Sequence, residues 1–291
     1  MINPDINSGG CSKHGPFNVC GHTDVGCPLN EGHSSVEAET DKPEAWLNQE
    51  REAVYAELVE EIRGAYEKGI SGGQYLASLI EDSVSDYGTK VRFGNWLKPA
   101  DRDQIHFVLH TSKSLNEVAG TQIVRPLFMV DNEALYTRLE AMFDMKSGGS
   151  HGVHFSPGFF DSKSKWEKVG LIVVKDNQDI TTHEARHSVD PLLAHGSDKR
   201  EGCDRVISEL FAFYKEFILD NESPNWNGLV ERVLQYYPNY TSKNKLSLLG
   251  YTDRVKNAVN GLKRFRAKYG DVETQRKLVQ AKTLVELFDI V

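Results

Sequence analysis

The chain contains no run of about 18 or more apolar residues, so no membrane-spanning helix is expected. Its first residues, Met1 to Gly10, carry neither the basic stretch nor the apolar stretch of a secretory leader, which makes a cytoplasmic location the expectation. Cysteine is scarce: of 4 in the chain, only Cys203 lies beyond the first 42 residues, and it reads as a structural thiol. An excess of positive charge is also missing. The formal net charge of −8 argues against a general nucleic-acid binder. The locally basic set Arg254, Lys256, Lys263, Arg264, Arg266 and Lys268 reads as a solvated helical face. There is no glycine-rich nucleotide loop and no internal repeat.

What is present suits a folded protein. At 291 residues and 39% hydrophobic, the chain can bury a substantial core in one large domain or two small ones. Three parts are expected. Residues 1–42 form an irregular tail rich in Cys and His. Residues 43–223 form an α+β part. Residues 224–291 form a helical part that packs on the same cleft. Within the middle part, Trp46, Val54, Leu58, Val59, Ile62 and Tyr66 give residues 43–69 a helical apolar stripe. A second helix is expected over 75–84 and a third over 133–145, with strands over 105–110 and 127–130. His106 and His110 would share one sheet face as surface residues. Residues 151–158 read as a short strand and turn beside the cleft, an edge on which an extended peptide could pair. After Pro224, helices are expected over 229–237, 243–249, 253–269 and 272–288, punctuated by Pro238, Gly250 and Gly270.

The most specific feature is His183-Glu184-Ala185-Arg186-His187. Positions i and i+4 lie on one helical face, so both imidazoles can reach one metal ion, with Glu184 close enough to touch a metal-bound water. Two imidazoles and a nearby carboxylate suit a Zn2+ site that makes hydroxide near neutral pH. The competing structural reading is a capping box, with Thr181 as N-cap and Glu184 folding back to its amide. Upstream, residues 169–174 read as a buried strand and 176–179 as a turn, with Asp179 or Thr181 capping the helix. Pro191 should end that helix at Asp190.

A catalytic zinc keeps three protein ligands and one open position. The third ligand is sought on residues 204–217, where Val206, Leu210, Phe213, Tyr214 and Phe217 follow the helical period. Glu209 borders that apolar face, where a carboxylate is costly unless a cation compensates it; pairing with Arg205 is the bland alternative. The small Ala212 would let another helix come close. His195, Glu201 and Asp204 compete as third ligand. Asp190 could orient a ligand imidazole or simply close the helix end. Tyr214, Tyr251, His154 and Arg254 are unranked candidates to stabilise an oxyanion.

These residues resemble the zincin superfamily of metallopeptidases, of the gluzincin-like type. That type carries HExxH on one helix and a glutamate ligand on a following helix, often as E-x-x-A. Glu209-Leu210-Phe211-Ala212 matches the second element, and the likeness spans about residues 169–217. The resemblance implies that His183, His187 and Glu209 bind zinc, that Glu184 is the general base, and that the substrate is a peptide or protein. It also implies a zincin-like α+β fold: a small mixed sheet, an HExxH helix and a largely helical C-terminal half. Two features depart from the commonest patterns. Residues 188–208 make a longer spacer than usual, and the metzincin HExxHxxGxxH extension is absent, because Leu193 stands where its third histidine would be.

In the tail, Cys11, His14, Cys20, His22, Cys27 and His33 match no standard zinc finger. A tail with reduced thiols, a small structural metal knot and an inhibitory cysteine on the catalytic metal all remain open. For the whole chain, a zinc metallopeptidase is the leading expectation. A zincin-like protein that holds metal without turnover is the alternative, and a metal-free helical protein with an accidental motif is the third. No pattern fixes an oligomeric state.

Overall fold

The structure, a computed structural model, describes residues 47–81, 97–142, 152–155, 164–175, 178–193, 200, 202–236 and 245–290. The expectations placed on the first 42 residues, on His151, His195 and Glu201 lie outside them. The helices are α1 (Gln49–Glu67), α2 (Gly72–Glu81), α3 (Pro99–Arg102), α4 (Lys113–Ala119), α5 (Glu133–Met142), α6 (Trp166–Val169), α7 (Gln178–His187), α8 (Val206–Tyr214), α9 (Trp226–Tyr236) and α10 (Lys245–Gln280). The strands β1 (Ile105–Thr111), β2 (Val124–Val130), β3 (Gly152–Phe155) and β4 (Leu171–Lys175) form one sheet in the order β1-β2-β4-β3. β1 runs antiparallel to β2, β2 parallel to β4, and β4 antiparallel to β3. The protein is therefore α+β with a small mixed sheet, and β3 is an edge of that sheet.

Side chains alternate between the two sheet faces because the strand period is two. Ile105, Phe128, Val130, Val153, Leu171 and Val173 point to one face and pack with Tyr55, Leu58 and Ile62 of α1, Leu76 of α2, Leu135 of α5 and Trp166 of α6. Leu127, Ile172 and Val174 point to the other face, where Ile180 of α7 covers them. The far side of α7 belongs to a larger core. There Ala185 and Val189 join Leu210 and Phe211 of α8, Leu229 and Val233 of α9, and Val255 and Leu262 of α10. Thus α7 is an inner layer, and the helices after residue 224 share an apolar core with α7 and α8.

Buried polar groups hold α7 in register. Arg125 on β2 is fully buried. It donates to both Glu52 oxygens at 2.8 and 2.6 Å and to Ser188 Oγ at 2.7 Å, and its guanidinium lies 3.9 Å from the Tyr55 ring centre. Arg51 donates to the Ser188 and Val169 carbonyls, and the Tyr55 hydroxyl donates to the same Val169 oxygen. Removing one partner from such a network strands a buried charge, at a cost of about 3–5 kcal/mol. Beyond α7, the fully buried Arg200–Asp190 pair at 2.8 Å is completed by Arg200 bonds to the Val279 and Ala281 carbonyls, which tie this stretch to the end of α10.

Several element boundaries differ from the sequence expectations. α7 begins at Gln178, so Thr181 is a buried interior residue rather than an N-cap. It ends at His187, and the chain turns before Asp190. Residues 204–217 are not one uniform helix: a 3-10 turn, Gly202–Arg205, precedes α8 and a π turn, Lys215–Leu219, follows it. α10 runs through Gly250, because one glycine costs a helix only about 1 kcal/mol. Its break comes at Gly270, whose φ of +80° a side chain would resist. α4 and α6 are too short to leave a periodic trace. Among the described residues, no helix is long and apolar enough to cross a membrane.

Candidate metal centre

The HEARH residues occupy the last turns of α7, with α8 against their outer side. His183 and His187 are one turn apart, and their Nε2 atoms are 3.2 Å from each other. Glu209, in the first turn of α8, brings Oε2 to 3.4 Å from His183 Nε2 and Oε1 to 3.6 Å from His187 Nε2. Ligands at tetrahedral angles and bonds of 2.0–2.1 Å stand about 3.3 Å apart, so these separations fit the edges of one four-coordinate site. Among the described residues, these three are the His/Cys/Asp/Glu group placed to share an ion. Their side chains are 12%, 8% and 15% exposed, so the cluster is sheltered without being sealed.

Neighbouring groups set each donor. His187 Nδ1 lies 3.0 Å from Ser208 Oγ. With Nδ1–H donating to that hydroxyl, the Nε2 lone pair is left facing Glu209. The His183 ring packs against Phe213 with centroids 4.2 Å apart. Burial works against a charged His183, but the carboxylates of Glu209 and Glu184 more than offset this and raise its pKa above the ordinary value. Burial dominates at His187 and pushes its pKa down to about 4, against the pull of Glu209.

Glu184 lies on the sheet side of α7. The His154 amide of β3 donates to its carboxylate, and Gly152 gives it room: a Cβ there would fall 2.8 Å from Glu184 Cγ and 2.5 Å from Ile180 Cγ2. The capping-box reading therefore fails, because Glu184 is engaged by a strand and not by its own helix start. Burial pushes its pKa up to about 7; His183 opposes the rise and Glu209 adds to it. Arg186, between the two histidines, turns to the opposite side. It is fully buried, donates to the Phe211 carbonyl at 2.8 Å and to Gln275 Oε1 at 2.7 Å, and its pKa falls with burial to about 9.

The other candidates separate by position. Asp204 accepts from the Leu284 amide, away from the cluster. Asp190 takes Arg200 and the Leu192 and Leu193 amides, while Ser208 is the group on the His187 ring. The Tyr214 hydroxyl donates to Asp271, Tyr251 is part of the helical core, and Arg254 reaches Cys203. His154 stands at the site through its amide. His106 is exposed and bonded to Asp131, whereas His110 turns towards Thr182 of α7, 3.4 Å away, and is half-buried instead of a surface residue. Sequence reasoning missed Ser208, Phe213 and Gly152. Ser208 and Gly152 belong to no chemical pattern, and Phe213 was legible only as an apolar residue. No family model matches the chain, nor does any curated protein or solved structure.

Proposed function

We propose that this protein is a metal-dependent hydrolase that cleaves peptide bonds, with His183, His187 and Glu209 as the ion's ligands, and that its architecture is zincin-like. The single observation behind this reading is the triangle of donor atoms at 3.2, 3.4 and 3.6 Å with a buried carboxylate beside it. Two imidazoles and one carboxylate favour Zn2+, which when bound supplies Lewis acidity and lowers the pKa of water to about 7.

The chain's own groups perform the proton work. Ser208 fixes the ring of His187 by its Nδ1 side. The His154 amide holds the Glu184 carboxylate against β3 and leaves it free to take a proton from water as the water oxygen attacks the scissile carbonyl carbon. Glu184, its pKa pushed up to about 7, then passes that proton to the departing amine nitrogen as the C–N bond breaks. The α7–α8 contact keeps bulk water from the buried side of the cluster.

Elemental analysis and peptide hydrolysis, run together on wild type, His187→Ala and Glu184→Gln, test the reading. Wild type should hold about one ion and hydrolyse peptides. His187→Ala should lose the ion. Glu184→Gln should keep it while kcat falls by about 10²–10⁴. Full turnover by Glu184→Gln removes Glu184 as the base, and metal without turnover in wild type leaves a metal-holding protein.

A further inference from the structure

Arg186 stands between the two histidines of α7 but has no part in the proposed chemistry. Its side chain is fully buried, makes no ion pair with a carboxylate among the described residues, and leaves Nη1 without a hydrogen-bond partner among them. A buried cation without a counter-charge is costly, and an apolar side chain of similar volume usually serves stability as well or better. What Arg186 does have is a set of directed contacts to helices beyond the 188–208 spacer. Nε donates to the Phe211 carbonyl at 2.8 Å, and the guanidinium lies over the Phe211 ring, 4.1 Å from its centre. Nη2 donates to Gln275 Oε1 of α10 at 2.7 Å. Gln275 is itself buried and anchored, because its Nε2 donates to the Asp271 carbonyl at 3.2 Å. Phe211 follows Glu209 closely on α8, in the last α-helical turn before the π turn opens at Lys215.

We infer that Arg186 is a positioning residue for the metal centre: it fixes how α8 sits along α7, and so sets the reach of Glu209 to His183 and His187. Apolar packing does not supply this. The contacts of Ala185 and Val189 with Leu210 and Phe211 are non-directional, whereas a metal site tolerates only about 0.2 Å in its ligand distances. A guanidinium is a planar fork with fixed donor directions, and its charge strengthens each bond. Arg186 and both histidines lie in the final turns of one helix. The bond from Arg186 to the Phe211 carbonyl therefore braces the same pair of helices that Glu209 must bridge. Ser208 crosses between them too, but by a single neutral hydrogen bond. The inference rests on the proposed ligand set and not on peptide hydrolysis.

The test compares full-length wild type, Arg186→Lys and the double variant Arg186→Met/Gln275→Leu, each with and without Glu209→Gln. Zinc affinity is read by chelator competition, and thermal unfolding is followed without metal. The double variant removes both ends of the side-chain bond, so no buried amide is stranded. It should unfold at or above the wild-type temperature and yet bind zinc about 10- to 100-fold more weakly. Arg186→Lys keeps the charge without the fork and should fall between the two. In the Glu209→Gln background the same changes should move zinc affinity by less than about twofold, because the ligand they position is gone. Unchanged affinity in the folded double variant overturns the inference. So does an equal loss with Glu209→Gln in place, which would make Arg186 a general support of α7. If the double variant does not fold, Arg186→Lys decides by the same cycle. Weakened zinc binding in the variants, with no hydrolysis by wild type, upholds the positioning role and refutes the hydrolase reading. Hydrolysis by wild type with unchanged affinity in the variants does the reverse.

Discussion

Ser208 and Glu209 are neighbours in the chain, and they address opposite sides of one imidazole. Ser208 Oγ lies 3.0 Å from His187 Nδ1, and Glu209 Oε1 lies 3.6 Å from His187 Nε2. Two successive residues can do this because the first turn of α8 packs beside the last turn of α7. With the hydroxyl accepting from Nδ1–H, the Nε2 lone pair is the free one, as the proposed metal site requires. Ser208→Ala should weaken zinc binding about 10- to 100-fold, measured by chelator competition, with the fold intact. An unchanged affinity would deny Ser208 that role. At this scale the sequence exposed His183, Glu184 and His187 by spacing, and Glu209 by its place at the edge of an apolar stripe. It gave no hint of Ser208, because a serine serves as an orienting acceptor only if another element brings a ring to it.

Elements fix what single residues cannot. α7 is pressed between the sheet and α8, so its two sides do different work: Glu184 meets β3, while His183 and His187 meet α8. Gly152 makes this spacing attainable. Gly152→Ala would set a methyl 2.5 Å from Ile180 Cγ2 and 2.8 Å from Glu184 Cγ, forcing α7 or the carboxylate to move. Overpacking of this kind costs about 1–3 kcal/mol. On the proposed hydrolase reading, the variant should bind its ion as wild type does, because His183, His187 and Glu209 lie on the other side of α7, but lose most of the peptide hydrolysis. Parallel metal and activity assays check this, and loss of the ion with activity intact would refute it. The strands were legible as short apolar runs, and α1 from its helical apolar stripe. The π turn after α8 was not, because an i+5 bond leaves no mark in the apolar pattern. The early start of α7 was hidden for a related reason: threonine pairs suggest caps, and here tertiary burial carries Thr181 into the helix interior.

Across the whole molecule, burial and charge couple the site to pH. Without an ion, Glu209 and Glu184 hold the His183 pKa above 6.5 in spite of its burial, whereas burial keeps His187 neutral down to about pH 4. An ion needs both rings unprotonated, so it must displace a proton from His183 but not from His187 near neutrality. The sign follows: affinity is full above the His183 pKa and falls about tenfold per pH unit below it, steepening once His187 titrates. Zinc affinity measured from about pH 5 to 8 should trace that fall, and calorimetry in two buffers should find about one proton released per ion near pH 6. A flat profile would mean that His183 is not a ligand. Read alone, the sequence determined the α+β class, the helical C-terminal half and a pair of imidazoles one turn apart, because periodicity and i,i+4 spacing are local properties. Only the tertiary structure decided that Glu209 closes the triangle and that Glu184 meets β3. These contacts join α7 to a strand before it and to a helix beyond the 188–208 spacer, and even the bond between His187 and Ser208 spans 21 positions of chain. No local pattern encodes such pairs, which exist only once α7 is packed between sheet and helices.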